Sequence, residues 1–211
     1  MIIVVGGIKG GSGKTTLATN LVAKRASHYK VLLIDADEQK SAWDWYQQRD
    51  SLTGFGLNVS FVTVCMSGKA IYNSLLELIQ DYDDIIIDTG GRDTTSQRAA
   101  LCLADKVILP FKPSSIDIWT LAPIKGILSE CINPKLKAYA VITQADPSGT
   151  DNQEAIEILK EFPEIQTLDC TIGNRKAFRN AAAEGRGVHE MFHPDKKACQ
   201  EMQMLYDSIY I

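Results

Sequence analysis

The sequence predicts an α/β fold: a doubly wound, mostly parallel sheet flanked by helices. Three observations predict it. Strand patterns and amphipathic helix patterns alternate along almost the whole chain. The runs Val31-Leu32-Leu33-Ile34, Ile85-Ile86-Ile87 and Val107-Ile108-Leu109 are apolar at every position, as strands covered on both faces should be. A glycine-rich turn and several aspartates fall at the carboxyl ends of strands, where open α/β sheets place their ligands. With 211 residues and no linker, repeat or low-complexity segment, one domain spanning residues 1–211 is expected.

Strands are expected at residues 2–6, 30–35, 58–64, 84–88, 106–110 and 138–143, with a short one near 170–172. The first, Ile2-Ile3-Val4-Val5, runs into Lys9-Gly10-Gly11-Ser12-Gly13-Lys14-Thr15-Thr16. Directly behind comes the helical stripe Leu17, Ala18, Leu21 and Val22. A strand that turns through glycines into a helix holds phosphate: the backbone curls, its N–H groups turn inward, and the helix adds its positive end. Residues Gly10 to Thr16 would form the cradle. Within it Lys14 would reach the β- and γ-phosphates, and the Thr15 hydroxyl would ligate Mg²⁺. A nucleoside triphosphate is the ligand these residues predict. The general pattern G-x-x-x-x-G-K-[ST] has glycine where this chain has Ile8, and a second lysine, Lys9, stands just inside the loop.

The second strand closes on Asp35, with Asp37 two residues on, and the 84–88 strand closes on Asp88, followed by Thr89-Gly90-Gly91-Arg92-Asp93. A carboxylate ending an apolar strand at that edge can hold Mg²⁺ or its bound water, although turn and helix-capping aspartates also occur there. Between these strands, residues 70–80 predict a helix striped by Ile71, Leu75, Leu78 and Ile79. The last helix, near 196–209, carries Ala198, Met202, Leu205 and Ile209 on one side.

The segment Lys9-Gly10-Gly11-x-Gly13-Lys14-Thr15 resembles the deviant Walker A motif of the ParA/MinD family of P-loop ATPases. Asp35-x-Asp37-x-Gln39 is similar to the family's switch I. The Asp88 to Asp93 segment resembles Walker B and switch II of its small ParA-type partition and positioning proteins, which lack a helix-turn-helix domain and include McdA-like carboxysome-positioning proteins. Pro113-Ser114-x-x-Asp117-x-Trp119 and Ile172-x-x-Arg175-x-Ala177-Phe178-Arg179-x-Ala181 resemble the same subgroup, so the likeness covers nearly the whole chain. The resemblance implies an ATPase using ATP and Mg²⁺, slow and stimulated by an adaptor protein of ParB or McdB type. It implies catalytic roles for Lys9, reaching into the partner's site across an ATP-sandwiched homodimer, for Lys14, and for Asp37, which would orient the attacking water. Asp35 and Asp88 would support the metal with Thr15, and Gly90 would offer an N–H to the γ-phosphate. Relatives commonly read the base with an asparagine where this chain has Thr143-Gln144.

The net charge is −4 and the pI about 5.4, which does not advertise nucleic acid. From Ile172 to Lys197, however, six basic residues (Arg175, Lys176, Arg179, Arg186, Lys196, Lys197) face three acidic ones, leaving −7 for the remainder. The resemblance implies that such late basic residues bind DNA without sequence preference in the ATP dimer, placing a cytoplasmic protein on the nucleoid. It would there position or segregate a plasmid, chromosome region or protein organelle. Two other readings stand beside it. A MinD-like membrane ATPase needs a basic amphipathic tail, whereas this chain ends Asp207-Ser208-Ile209-Tyr210-Ile211. A P-loop ligase or synthetase acting on a small molecule would need a second substrate pocket.

The five cysteines form no C-x-x-C pair and read as reduced thiols, mostly small core residues. His28 reads as surface, with His189 and His193 as contributors to the basic region. Trp43 and Trp45 read as helix packing; Trp119 reads either as core or as a neighbour of the nucleotide or dimer seam. No apolar run long enough to cross a membrane occurs, and the chain opens on a core strand with no room for a leader.

Overall fold

The computed structural model describes residues 1–52, 57, 61–92, 94–113, 121–146 and 150–211. Asp93, Ser114, Asp117, Trp119 and residues 58–60 of the expected third strand lie outside these.

The sheet has seven strands: β1 (Ile2–Val5), β2 (Val31–Ala36), β3 (Val62–Cys65), β4 (Asp84–Thr89), β5 (Lys106–Phe111), β6 (Lys137–Ala145) and β7 (Ile165–Gly173). Their spatial order is β3-β2-β4-β1-β5-β6-β7, and every pairing is parallel, where the sequence predicted a mostly parallel sheet. The helices are α1 (Lys14–Arg25), α2 (Ser41–Ser51), α3 (Ala70–Leu78), α4 (Thr95–Leu101), α5 (Leu121–Glu130), α6 (Asp151–Leu159), α7 (Lys176–Ala183) and α8 (Lys196–Tyr210).

Successive side chains of a strand point to opposite faces, and here each face has its own core. Ile3 and Val5 of β1, with Leu33 and Ile86, pack under α1, α2, α7 and α8. Ile2 and Val4, with Ile34, Ile85 and Ile87, pack under α3, α4, α5 and α6. Burying each such side chain is worth roughly 1.5–3 kcal/mol, which is why uninterrupted apolar runs become central strands.

The expected α8 stripe of Ala198, Met202, Leu205 and Ile209 is buried. On α3 the stripe is narrower than expected: Ile71 and Leu75 are buried and Leu78 partly so, but Ile79 lies past the helix end and is exposed. The short strand expected near 170–172 is nine residues long. Its exposed polar positions Gln166 and Asp169 and the polar Thr167 between them hid it from an apolar-run reading. Of the cysteines, Cys170 alone is fully buried; Cys65 and Cys102 are exposed, contrary to the core expectation, and all five are free thiols.

β1 lies between β4 and β5, so Val5 is in register with Asp88 on one side and Ile108 on the other. Asp88 is in register with Asp35 of β2. In-register parallel neighbours point to the same face, so both carboxylates rise on the α1 side, where the chain leaving β1 curls back into α1.

Candidate functional site

The loop from Gly7 to Gly13 joins β1 to α1, and its conformation explains its composition. Gly7, Gly11 and Gly13 have φ of 141°, 70° and 97°, the left-handed region that side chains avoid. Lys14 is buried, and its Nζ donates to the carbonyl of Lys9 at 2.8 Å, across the loop it closes. Burial pushes the Lys14 ammonium below its ordinary pKa, while Asp88 and Asp37 oppose that shift. Two contacts from the end of β6 brace the loop: Thr143 Oγ1 donates to Ser12 O at 2.7 Å, and Gln144 Nε2 to Gly11 O at 2.6 Å.

Asp88 is completely buried at the end of β4. Its Oδ2 accepts the Thr15 hydroxyl at 2.6 Å, and its Oδ1 has no hydrogen-bond partner. Burial raises its carboxyl from 3.8 to about 7; the Thr15 bond opposes this and Asp35 adds to it. A buried carboxylate oxygen without a partner, beside a threonine hydroxyl and a lysine, suits a divalent cation, which would satisfy that oxygen and favour the charged form.

Asp37 and Gly90, predicted from separate segments, meet: a Cβ added at Gly90 would lie 3.3 Å from Asp37 Oδ1. Gly91 approaches the phosphate loop more closely still. A Cβ there would fall 2.6 Å from Gly10 N and 2.7 Å from Gly10 Cα. The glycine pair after Asp88 thus permits backbone contact between the two loops.

Asp35, expected to support the metal shell, is held by backbone N–H groups. Its Oδ1 accepts from Asp37 N at 3.0 Å and its Oδ2 from Trp43 N at 2.8 Å. Each oxygen takes a backbone N–H, and Asp35 fastens the segment that carries Asp37 to the start of α2. Trp45 is buried, stacked on Phe61 with centroids 5.9 Å apart, and Trp43 is tilted against Tyr46, as helix packing predicts.

Two open concavities flank the first turn of α1. One, of about 180 Å³, is lined by Gly13, Thr16, Thr143, Asn174, Phe178 and Arg179. The other, of about 430 Å³, lies between Thr15 and Thr19 of α1, Ser41 and Asp44 of α2, and Ala182 of α7. The sequence reading missed Thr143 as a loop brace, Asn174, and Gln97 of α4, whose Oε1 accepts from Gly7 N at 3.2 Å and Thr89 Oγ1 at 3.1 Å. No local signal marks them, because each acts through partners more than eighty residues away or from the far wall of a cavity. Thr89–Gln97 is the exception.

The basic residues separate into two groups. Arg175, at the N-cap of α7, has its Nη2 2.5 Å from Glu201 Oε1, and its Nε is bound to both carboxylate oxygens at 3.0 Å. Arg186 donates to Glu190 O at 3.0 Å and lies 3.5 Å from Glu184. Lys176, Arg179, Lys196 and Lys197 are exposed. Burial lowers the His189 pKa, and His193 is exposed against Phe192.

Residues 3–188 match the CobQ/CobB/MinD/ParA nucleotide binding domain family, CbiA. The chain belongs to this family. A maintenance of carboxysome distribution protein A from Gloeobacter kilaueensis is 32% identical over 184 residues, 85% of this chain and 80% of that protein. Its counterpart from Halothiobacillus neapolitanus is 26% identical over 211 residues, 98% of this chain and 95% of that one. Among solved structures, a Cyanothece McdA variant in complex with ATP superposes with a TM-score of 0.80 at 18% identity, covering 100% of this chain and 96% of that chain. Among the described residues of this CobQ/CobB/MinD/ParA member, no helix is long and apolar enough to cross a membrane.

Proposed function

We propose that this chain is a ParA-type ATPase that closes as a homodimer around ATP, binds DNA without sequence preference in that state, and positions or segregates a cargo. An adaptor of ParB or McdB type would stimulate its hydrolysis. The observation that carries the catalytic part is the convergence, at the end of β1, of Lys14, Thr15, Asp37 and the half-satisfied Asp88 beneath the Gly91–Gly10 contact. The carboxysome-distribution relatives support the positioning part.

In this reading Lys14 leaves the Lys9 carbonyl to pair with the β- and γ-phosphates, and the loop N–H groups hold the remaining charge. Thr15 and Asp88 would hold Mg²⁺, which neutralises developing charge on the phosphate oxygens. Asp37 orients the attacking water, positioned by Asp35 behind it, and the Gly90 N–H faces the γ-phosphate. Lys9 serves the partner's nucleotide. Without an arginine finger such a site turns over well below ~1 s⁻¹, a rate suited to a timer. The apolar stripe of α8 is buried in the core, so α8 itself offers no apolar face to a membrane.

Asp37→Ala should bind ATP, hydrolyse it at least ~100-fold more slowly, and accumulate as dimer with ATP and Mg²⁺ on a sizing column. Monomer at every concentration would overturn the dimer. Co-sedimentation with DNA should require ATP; equal binding with ADP would remove the switch.

A further inference from the structure

α4 is the helix whose Gln97 grips both Gly7 and Thr89 at the nucleotide site. Its far end meets the chain leaving α5. Cys102, the C-cap of α4, donates its backbone N–H to Arg98 O at 3.3 Å, and Cys131 Sγ sits 4.0 Å from that same oxygen. Both cysteines thus meet at the Arg98 carbonyl, close enough for Cys102 to act on the Cys131 thiol. Neighbouring contacts hold the junction together. Asn133 Nδ2 donates to Leu101 O at 3.0 Å and to Ala104 O at 2.8 Å, and Arg98 pairs with Glu130. Cys102 is exposed and Cys131 partly buried.

We propose that Cys102 and Cys131 are a redox pair, closed to a disulfide by an oxidised low-molecular-weight thiol, and that the bridge clamps α4 to the end of α5. The Cys102 thiolate attacks one sulfur of the small disulfide, forming a mixed disulfide and expelling one small thiolate. The Cys131 thiolate then attacks the Cys102 sulfur and expels the second. The two thiol protons end on the two small thiols, so the protein loses two electrons and the small disulfide gains them. Exposed Cys102 is the thiol a small disulfide can reach first, and partly buried Cys131, its thiol pushed up to about 11 by burial, is the resolver. In a reducing cytosol the pair stays open and closes under oxidative load.

The test uses the full chain, oxidised glutathione as probe, and the variants Cys102→Ser and Cys131→Ser. Wild type should lose two hydrogens in mass, and a non-reducing digest should join the Cys102 and Cys131 peptides. Cys131→Ser should instead retain glutathione on Cys102. The oxidised wild type should melt several degrees above the reduced form, a shift absent from Cys131→Ser. A stable glutathione adduct on wild-type Cys102, a bridge to Cys65 instead, or a bridge without a rise in melting temperature would each overturn the proposal.

Discussion

The Thr15 hydroxyl and the Asp88 carboxylate, brought from α1 and β4, share a 2.6 Å hydrogen bond that leaves the second Asp88 oxygen buried and unpaired. Seventy-three positions separate them in sequence, and only the pairing of β4 beside β1 makes them neighbours. The bond holds the site in a tense electrostatic state: a carboxylate with too few partners beside a lysine whose own charge is disfavoured by burial.

That state has a pH signature. The Asp88 carboxyl is raised from 3.8 to about 7 in the folded protein, so the native state holds its proton more tightly than the unfolded chain does. The associated stability is present below the unfolded value and declines as pH rises through this window, by an order of a few kcal/mol at most. Asp88→Asn should flatten that decline in denaturant titrations of nucleotide-free protein. It should also abolish the Mg²⁺-dependent part of nucleotide binding. An unchanged slope would mean that Asp88 titrates normally.

The two glycines after Asp88 should respond unequally to alanine. At Gly91 the added carbon would overlap the Gly10 backbone, which cannot swing aside, and nucleotide affinity should fall at least ~10-fold with a stability loss of about 1–3 kcal/mol. At Gly90 the carbon meets Asp37 at 3.3 Å, so the side chain shifts a few tenths of an ångström and turnover should suffer more than binding. Titration of a fluorescent ATP analogue beside steady-state phosphate release separates the two.

A buried ion pair ties α2 to the late basic region. Arg49 of α2 grips Glu190 with both Nη atoms, at 2.7 and 2.8 Å, and also donates to Gly185 O. Glu190→Gln should cost roughly 3 kcal/mol by leaving the arginine charge uncompensated. A double replacement by Met and Leu should recover most of it, as read from urea midpoints.

The proposed DNA surface divides along the ion pairs. Arg179→Ala and Lys197→Ala should each weaken ATP-dependent DNA binding across all sequences and lower the salt slope by about one unit. Arg175→Ala, which unpairs Glu201, should chiefly lower the melting temperature. If Arg175→Ala weakened DNA binding as strongly as Arg179→Ala, the division would be wrong.

Sequence alone determined the α/β class, most strand positions, the phosphate loop and the carboxyl-end aspartates. Each is written locally, in apolar runs, glycine placement and a lysine and threonine at fixed spacing. Strand periodicity failed for β7, whose outward positions are polar, and cysteine burial could not be read from residue type. What only tertiary structure decided were the pairings: Asp35 turned onto backbone N–H groups, Arg175 taken by Glu201, and Gln97 bridging Gly7 and Thr89. Those depend on which strands neighbour one another across the sheet, and a free carboxylate, guanidinium or amide takes whichever partner burial brings within reach. No spacing along the chain encodes that choice.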